Sequence, residues 1–114
     1  MRMQKVLKKR KMQQEQMIEL ARSYATSLNQ QIGPLSAILT GSVARGDFNL
    51  HSDIDVLIIS EKLPSNPLER SKFLYSIAPP GLEPKGFTPQ EFEDYKAKKN
   101  PLVLDAISYG IPLI

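Results

Sequence analysis

The stretch GSVARGDFNLHSDIDVLII, residues 41–59, decides how this chain is read. Its second half ends in Ile54 to Ile59 (IDVLII), β-branched and apolar almost throughout, the pattern of a central strand covered on both faces. Its first half follows another short strand candidate, Leu35 to Thr40 (LSAILT), and opens with Gly41-Ser42. Gly41 to Arg45 reads as a tight turn starting a brief helix, Gly46 ends it, and Phe48 to Ser52 is polar loop. Two acids, Asp53 and Asp55, stand where the buried strand begins. An ordinary strand has no use for them there.

Side chains alternate along a strand, so two acids at i and i+2 point the same way, with Cα atoms ~7 Å apart. Carboxylates that close, beside an apolar run, repel each other, and without a counter-charge one of them holds a proton. One or two bound divalent cations resolve the conflict. Oxygen-only ligands on a chain without cysteine suit Mg²⁺ or Mn²⁺ better than Zn²⁺. The competing reading is a strand cap that faces water, paired with Arg45. Gly41-Ser42 has two readings as well. It is an ordinary strand-to-helix turn, or a turn whose glycine lets backbone approach a ligand, whose first-turn N–H groups attract an anion, and whose hydroxyl donates to a phosphate oxygen. Taken together, an anion cradle and a metal cradle on neighbouring strand ends suit a nucleoside triphosphate carried with Mg²⁺.

Gly41-Ser42, ten residues, then Asp53-Ile54-Asp55 resembles the Gly-Ser-x₁₀-Asp-x-Asp signature of the nucleotidyltransferase superfamily with the polymerase-β-like fold. The intervening Ala44-Arg45-Gly46 and the run Ser52 to Asp55 are most similar to its small prokaryotic branch, the minimal nucleotidyltransferases, and the resemblance spans residues 31–114. It implies that Gly41 and Ser42 hold the β- and γ-phosphates and that Asp53 and Asp55 bind Mg²⁺, two ions in all. It implies a third carboxylate on the next strand that completes the metal site and helps deprotonate the attacking hydroxyl. Glu83, in GLEPKGF, takes that place or is a surface acid; Pro84 follows it directly and no fixed spacing pins it. Arg45 either reaches a phosphate or holds the loop by pairing with Asp47 or a motif aspartate. The reaction implied is transfer of a nucleoside monophosphate, AMP from ATP, to a hydroxyl. The minimal branch also implies a partner, a helical HEPN-domain protein often acting as a toxin, with the transferase as its antitoxin.

The fold expected around this site is a small mixed β-sheet flanked by helices, an α/β (α+β) arrangement. Residues 4–30 read as a helix, with Met17, Leu20, Ala21, Tyr24 and Leu28 in one apolar stripe, and residues 1–30 are taken as an N-terminal helical segment before a domain at 31–114. Leu68 to Ile77 is a helix. Leu82 to Phe87 is a third strand, assigned to an edge because it contains Pro84 and Gly86. Thr88-Pro89 with Glu91 signals a helix start that runs to about Lys99, and Asn100-Pro101 begins a last helix that ends at Gly110. A closing IPLI reads as a short edge strand.

With 114 residues, 41% of them hydrophobic, the chain suits one domain. The absence of cysteine excludes disulfides and thiolate chemistry. No segment has the ~20 apolar residues of a membrane span, and the basic N-terminus lacks a signal peptide's apolar core, so a soluble cytoplasmic protein is expected. The net charge of +3 is uneven, with clusters at Lys8, Lys9, Arg10, Lys11 and at Lys96, Lys98, Lys99. Both read first as solvated helix surface and second as a docking face for an acidic partner or nucleic acid. The first half of the N-terminal helix projects or packs on another chain, a route to a homodimer. His51 reads as a loop residue in water, and Tyr75, Tyr95 and Tyr109 as core or interface residues. Two other classes compete with the enzyme: a non-catalytic nucleotide- or partner-binding subunit, and a nucleic-acid adaptor working through the basic helix. No GKS/T motif supports a P-loop ATPase.

Overall fold

An apolar stripe at helical spacing has to lie against something, and it fixes how the chain begins. A computed structural model describes residues 2–114; Met1, the first residue of the expected N-terminal segment, lies outside the described residues. Helix α1 (Arg2–Ile32) buries Ala21, Tyr24, Ala25 and Leu28. Leu20, expected on this stripe, is 40% exposed, because residues 21, 24, 25 and 28 define the buried face and its neighbour points away.

After α1 come strand β1 (Ser36–Thr40), helix α2 (Gly41–Arg45), strand β2 (Ile54–Ile59), helix α3 (Pro67–Ser76), strand β3 (Leu82–Phe87), helices α4 (Pro89–Ala97) and α5 (Pro101–Tyr109), and strand β4 (Ile111–Pro112). The sheet order is β3-β2-β1-β4. The β1/β2 and β1/β4 pairs are antiparallel and β2/β3 is parallel, so α3 is the crossover that parallel neighbours require. This is the expected mixed α+β sheet, and β3, with Pro84 and Gly86, lies at its edge.

One face of the sheet carries Ala37, Leu39, Ile54, Val56, Ile58 and Leu82 into a core with α1, Val43 of α2 and Leu74 of α3. Ile58 is fully buried and Leu57 is 1% exposed although they point to opposite faces, which explains the unbroken apolar run. On the other face α5 supplies buried Val103 and Ala106.

The helix starts follow their chemistry. Asn66 and Asn100 cap α3 and α5 by accepting from two backbone N–H groups each, and Thr88 with Glu91 forms a reciprocal capping box on α4. Tyr75, Tyr95 and Tyr109 are 49%, 41% and 60% exposed, so none is a core residue. Tyr95 meets the ring of Phe87 edge to face at 5.4 Å. The core tyrosine is Tyr24, whose hydroxyl donates to the Leu74 carbonyl at 2.7 Å.

The basic end of α1 is not uniformly solvated. Arg10 donates to the Phe48 carbonyl and stacks its guanidinium over the Phe48 ring, 4.5 Å from the centroid. Gln14 donates to the Val43 carbonyl at 2.7 Å. Both tie α1 to the turn and loop between β1 and β2, whereas Met3, Val6 and Leu7 remain exposed. Among the described residues no helix is long and apolar enough to cross a membrane.

Candidate active site

The register of the sheet places Thr40 opposite Asp55 and Asp55 opposite Glu83. Opposed residues share a face, so a hydroxyl and two carboxylates line one row across three strands at the end where β2 begins. The next row, Ile38, Leu57 and Lys85, sets a cation beside the acids on the edge strand. Asp53 precedes β2 in the loop and is exposed, while Asp55 is half-buried. The expected strand pair is therefore one strand residue and one loop residue, because the ladder starts at Ile54, whose N–H donates to the Gly81 carbonyl at 2.8 Å.

Burial raises the Asp55 carboxyl above the usual carboxylate range, and the negative charges of Glu83 and Asp53 raise it further. Lys85 and Arg45 pull the other way without prevailing. This is the surplus of negative charge the sequence anticipates, and it singles out Glu83 as the acid acting on Asp55 from the next strand.

Gly41 stands against the same carboxylate. Its φ is +75°, and a Cβ built on it would lie 2.5 Å from Asp55 Oδ2. The positive φ favours glycine and any side chain here would push the carboxylate aside, so the backbone entering α2 runs directly beside it. Ser42 follows at the helix's first turn, where backbone N–H groups lack intrahelical partners. Beside this turn a cavity of about 140 Å³ opens between Thr40, Asp55, Glu83, Lys85 and Leu102. Wider, shallower grooves run along α1 from Lys5 to Gln16 and near Pro34, away from the paired acids.

A family model of the nucleotidyltransferase domain matches residues 21–108. The chain belongs to the nucleotidyltransferase family. A crystal structure of a Sulfolobus solfataricus protein, provisionally assigned as a nucleotidyltransferase, has the same fold: TM-score 0.64 at 19% identity, over 87% of this chain and 80% of that one. No curated protein matches the chain. The nucleotidyltransferase match takes in the row of acids, the Gly41-Ser42 turn and Asp105 on the last helix, so every part of the site lies inside it.

The donors fit a hard divalent cation in kind, carboxylate oxygens carrying unneutralised charge. Asp53 and Asp55 would hold such an ion, with Glu83 beside them. Among the described residues no three acidic, histidine or cysteine side chains already form a cage.

Arg45 pairs with Asp47 at 3.4 Å and with Asp105 at 2.9 Å, not with a motif aspartate. Asp105 is the residue the sequence reading missed. It accepts from the Thr40 hydroxyl at 2.7 Å, from the Gly41 N–H at 3.1 Å and from Arg45. Its signal was there to find, since it is the one charged residue in the apolar helix PLVLDAISY. Ser52 and His51 shape the loop: the Ser52 hydroxyl accepts from the Asn49 N–H at 2.9 Å, and the His51 N–H donates to the Asn49 side chain at 2.8 Å.

Proposed function

We infer that this nucleotidyltransferase moves AMP from ATP to a hydroxyl on a second protein, in the cytoplasm, and that the acceptor is a HEPN-domain partner which the modification neutralises. The observation that carries the transfer chemistry is the contact geometry of Gly41 and Asp55. A phosphate bound at the turn and a cation bound at the carboxylate would be immediate neighbours, as MgATP requires.

In this reading Gly41 and Ser42 grip the β- and γ-phosphates, and Arg45 offers a further charge to them. Asp53, Asp55 and Glu83 would hold Mg²⁺, or Mn²⁺ in its place, in two positions. When bound, the ions supply charge neutralisation to the triphosphate and acidify the acceptor hydroxyl. The acceptor oxygen forms a bond to the α-phosphorus in line with the bond that breaks, between the α-phosphorus and the bridging oxygen, and pyrophosphate leaves with that electron pair. Glu83, facing the cavity, takes the hydroxyl proton. The chain's own contribution is positioning and fixed charge.

A protein acceptor is supported by apolar side chains left exposed on the helix bordering the cavity, Leu104, Ile107 and Tyr109. The exposed Met3, Val6 and Leu7 at the start of α1 support pairing of two copies as a second surface. The competing reading is a subunit that binds nucleotide or partner without catalysis; Asp53, exposed in the loop before β2 and not on the strand with Asp55, favours it.

One experiment separates the two. The protein is incubated with Mg²⁺, ATP labelled at the α-phosphate and the product of the neighbouring gene; label is expected on the partner, with pyrophosphate released. Asp53→Asn combined with Asp55→Asn is expected to abolish labelling without altering the circular dichroism spectrum. Undiminished labelling by the double variant overturns the catalytic reading. Partner binding with no labelling by the wild type establishes the binding subunit instead.

A further inference from the structure

We propose that Asp105 is the positioning residue of the triphosphate grip, holding the Thr40-Gly41-Ser42 turn in shape with one oxygen and aiming Arg45 with the other. The proposal deepens the reading of Gly41, Ser42 and Arg45 as phosphate contacts and rests on it.

Asp105 sits on a helix that cannot easily move. Asn100 caps the start of α5, and Val103 and Ala106, on either side of Asp105, are buried against the sheet. The carboxylate's two oxygens are divided between two tasks. Oδ2 accepts from Thr40 Oγ1 at 2.7 Å and from Gly41 N at 3.1 Å, the last residue of β1 and the first of α2. Oδ1 accepts from Arg45 Nη1 at 2.9 Å, at the far end of α2. One side chain thus fixes both ends of the segment that would contact the phosphates.

The choice of acid is physical. Three donors converge on this point, and a carboxylate is the only side chain that offers acceptors to all of them with opposite charge to Arg45. Burial raises the Asp105 carboxyl, but the bonds from Thr40, Gly41 and Arg45 outweigh it, and the group is held below the usual carboxylate range. It therefore stays charged at neutral pH. Two consequences follow for a ligand. The Gly41 N–H is already engaged by Asp105, so Gly41 serves a phosphate by letting the backbone lie close to it, and the Ser42 hydroxyl is the donor at the turn. Arg45 is 36% exposed at its side chain, tethered at Nη1 by Asp105 and more loosely at Nε by Asp47, with donors to spare, and so stands ready rather than sweeping through solvent. Binding energy otherwise lost in ordering the turn and the arginine is kept.

The test is calorimetry of ATP and of AMP, each with Mg²⁺, on the full chain and its variants. Asp105→Asn keeps an acceptor for Thr40 and Gly41 while losing the charge that aims Arg45. It is expected to weaken ATP binding ~10-fold, the equivalent of one charged hydrogen bond, and to leave AMP binding within ~2-fold. The double variant Asp105→Asn with Arg45→Ala is expected to match Arg45→Ala alone within ~2-fold, since both act on one interaction. Thr40→Val, which removes only the hydroxyl donor, tests the turn side and is expected to weaken ATP binding ~3-fold; it also serves if Asp105→Asn does not fold. A purely structural role predicts a lower melting temperature with ATP and AMP weakened equally or not at all. That result, or full additivity with Arg45→Ala, overturns the proposal and leaves the phosphate-contact reading standing. If the wild type binds neither ATP nor AMP, that reading fails, and this one with it.

Discussion

Gly41 and Asp55 are packed so that a single added methyl group on the first would strike a carboxylate oxygen of the second, at 2.5 Å. The turn and the acid are built as one object. Gly41→Ala forces a side chain into a backbone conformation at φ +75°, costing about 1–2 kcal/mol, and displaces Asp55 as well. Displacements of ~1 Å in a reacting constellation cost on the order of 100-fold in rate. Gly41→Ala is therefore expected to lose nearly all transfer activity while remaining folded, measured by labelling and by urea titration. Activity within a few-fold of wild type would show that the turn does not take part.

The loop between α2 and β2 carries Asp53 and is tied down from an unexpected direction. Arg10 donates to the carbonyl of Phe48 and also reaches that of Gly46, at 3.4 Å, and lies over the Phe48 ring. Removing it leaves those carbonyls without their charged donor, at about 1–3 kcal/mol. Arg10→Ala is expected to lower stability by that amount and to speed hydrogen exchange in residues 46–53. Lys8→Ala and Lys9→Ala, on exposed neighbours, are expected to change stability by less than ~0.5 kcal/mol. Equal effects from all three would mean that the contact is incidental.

That contrast shows where the sequence stops speaking. The apolar run Ile54 to Ile59, the capping box at Thr88 and Glu91, and the helix start at Asn100-Pro101 are local signals, and the elements they mark form where expected. The acid row needed only strand alternation plus the neighbouring strand. The partners of Arg10, Gln14 and Asp105 were illegible because they lie 38, 29 and 65 residues away, and nothing local distinguishes Arg10 from the lysines beside it, whereas Asp105 carried a local sign as the one charge in an apolar helix. The strand bounds Ile54 and Ile59 were legible in the apolar run, and with them that Asp53 stands just outside the ladder while Asp55 lies within it.

Tyr24 is the polar group within the main core, and its hydroxyl is satisfied by the Leu74 carbonyl of α3. Tyr24→Phe leaves the ring and orphans the carbonyl, for a loss of about 1 kcal/mol. Burial pushes the phenol's pKa well above its ordinary value of 10, with Tyr75 adding to the shift. A raised folded pKa means stability that is complete below pH ~10 and is lost as pH rises beyond it, because the unfolded phenol ionises first. The wild type is expected to weaken between pH 10 and 11 more than Tyr24→Phe does, as read by denaturant midpoints. Parallel alkaline profiles would place the sensitivity elsewhere.

The acid side of the stability profile has its own source. Glu91 Oε1 accepts from the Thr88 N–H at 2.7 Å and from Arg70 Nη1 at 2.7 Å. Arg70, only 11% exposed at its side chain, also donates to the carbonyls of Pro64 and Gly86, so it joins the loop before α3, strand β3 and helix α4. The Thr88 N–H is the largest influence holding the Glu91 carboxyl below its usual range, burial opposes it, and the Arg70 guanidinium adds to the lowering. The folded pKa is therefore below the unfolded one. The stabilisation is present above the ordinary glutamate value of ~4.3 and disappears as pH falls through the lowered folded value. Because the Glu91 side chain is 41% exposed, solvent and salt reduce the effect, and it is expected to weaken at high ionic strength. Glu91→Gln keeps an acceptor for Thr88 but has no charge to lose. Its deficit against the wild type is expected to be largest near pH 7 and to shrink towards zero by pH ~2.5 in urea titrations, as the wild-type carboxylate is protonated. A deficit that stays constant across that range would mean that the bond's shape, and not its charge, is what Arg70 requires.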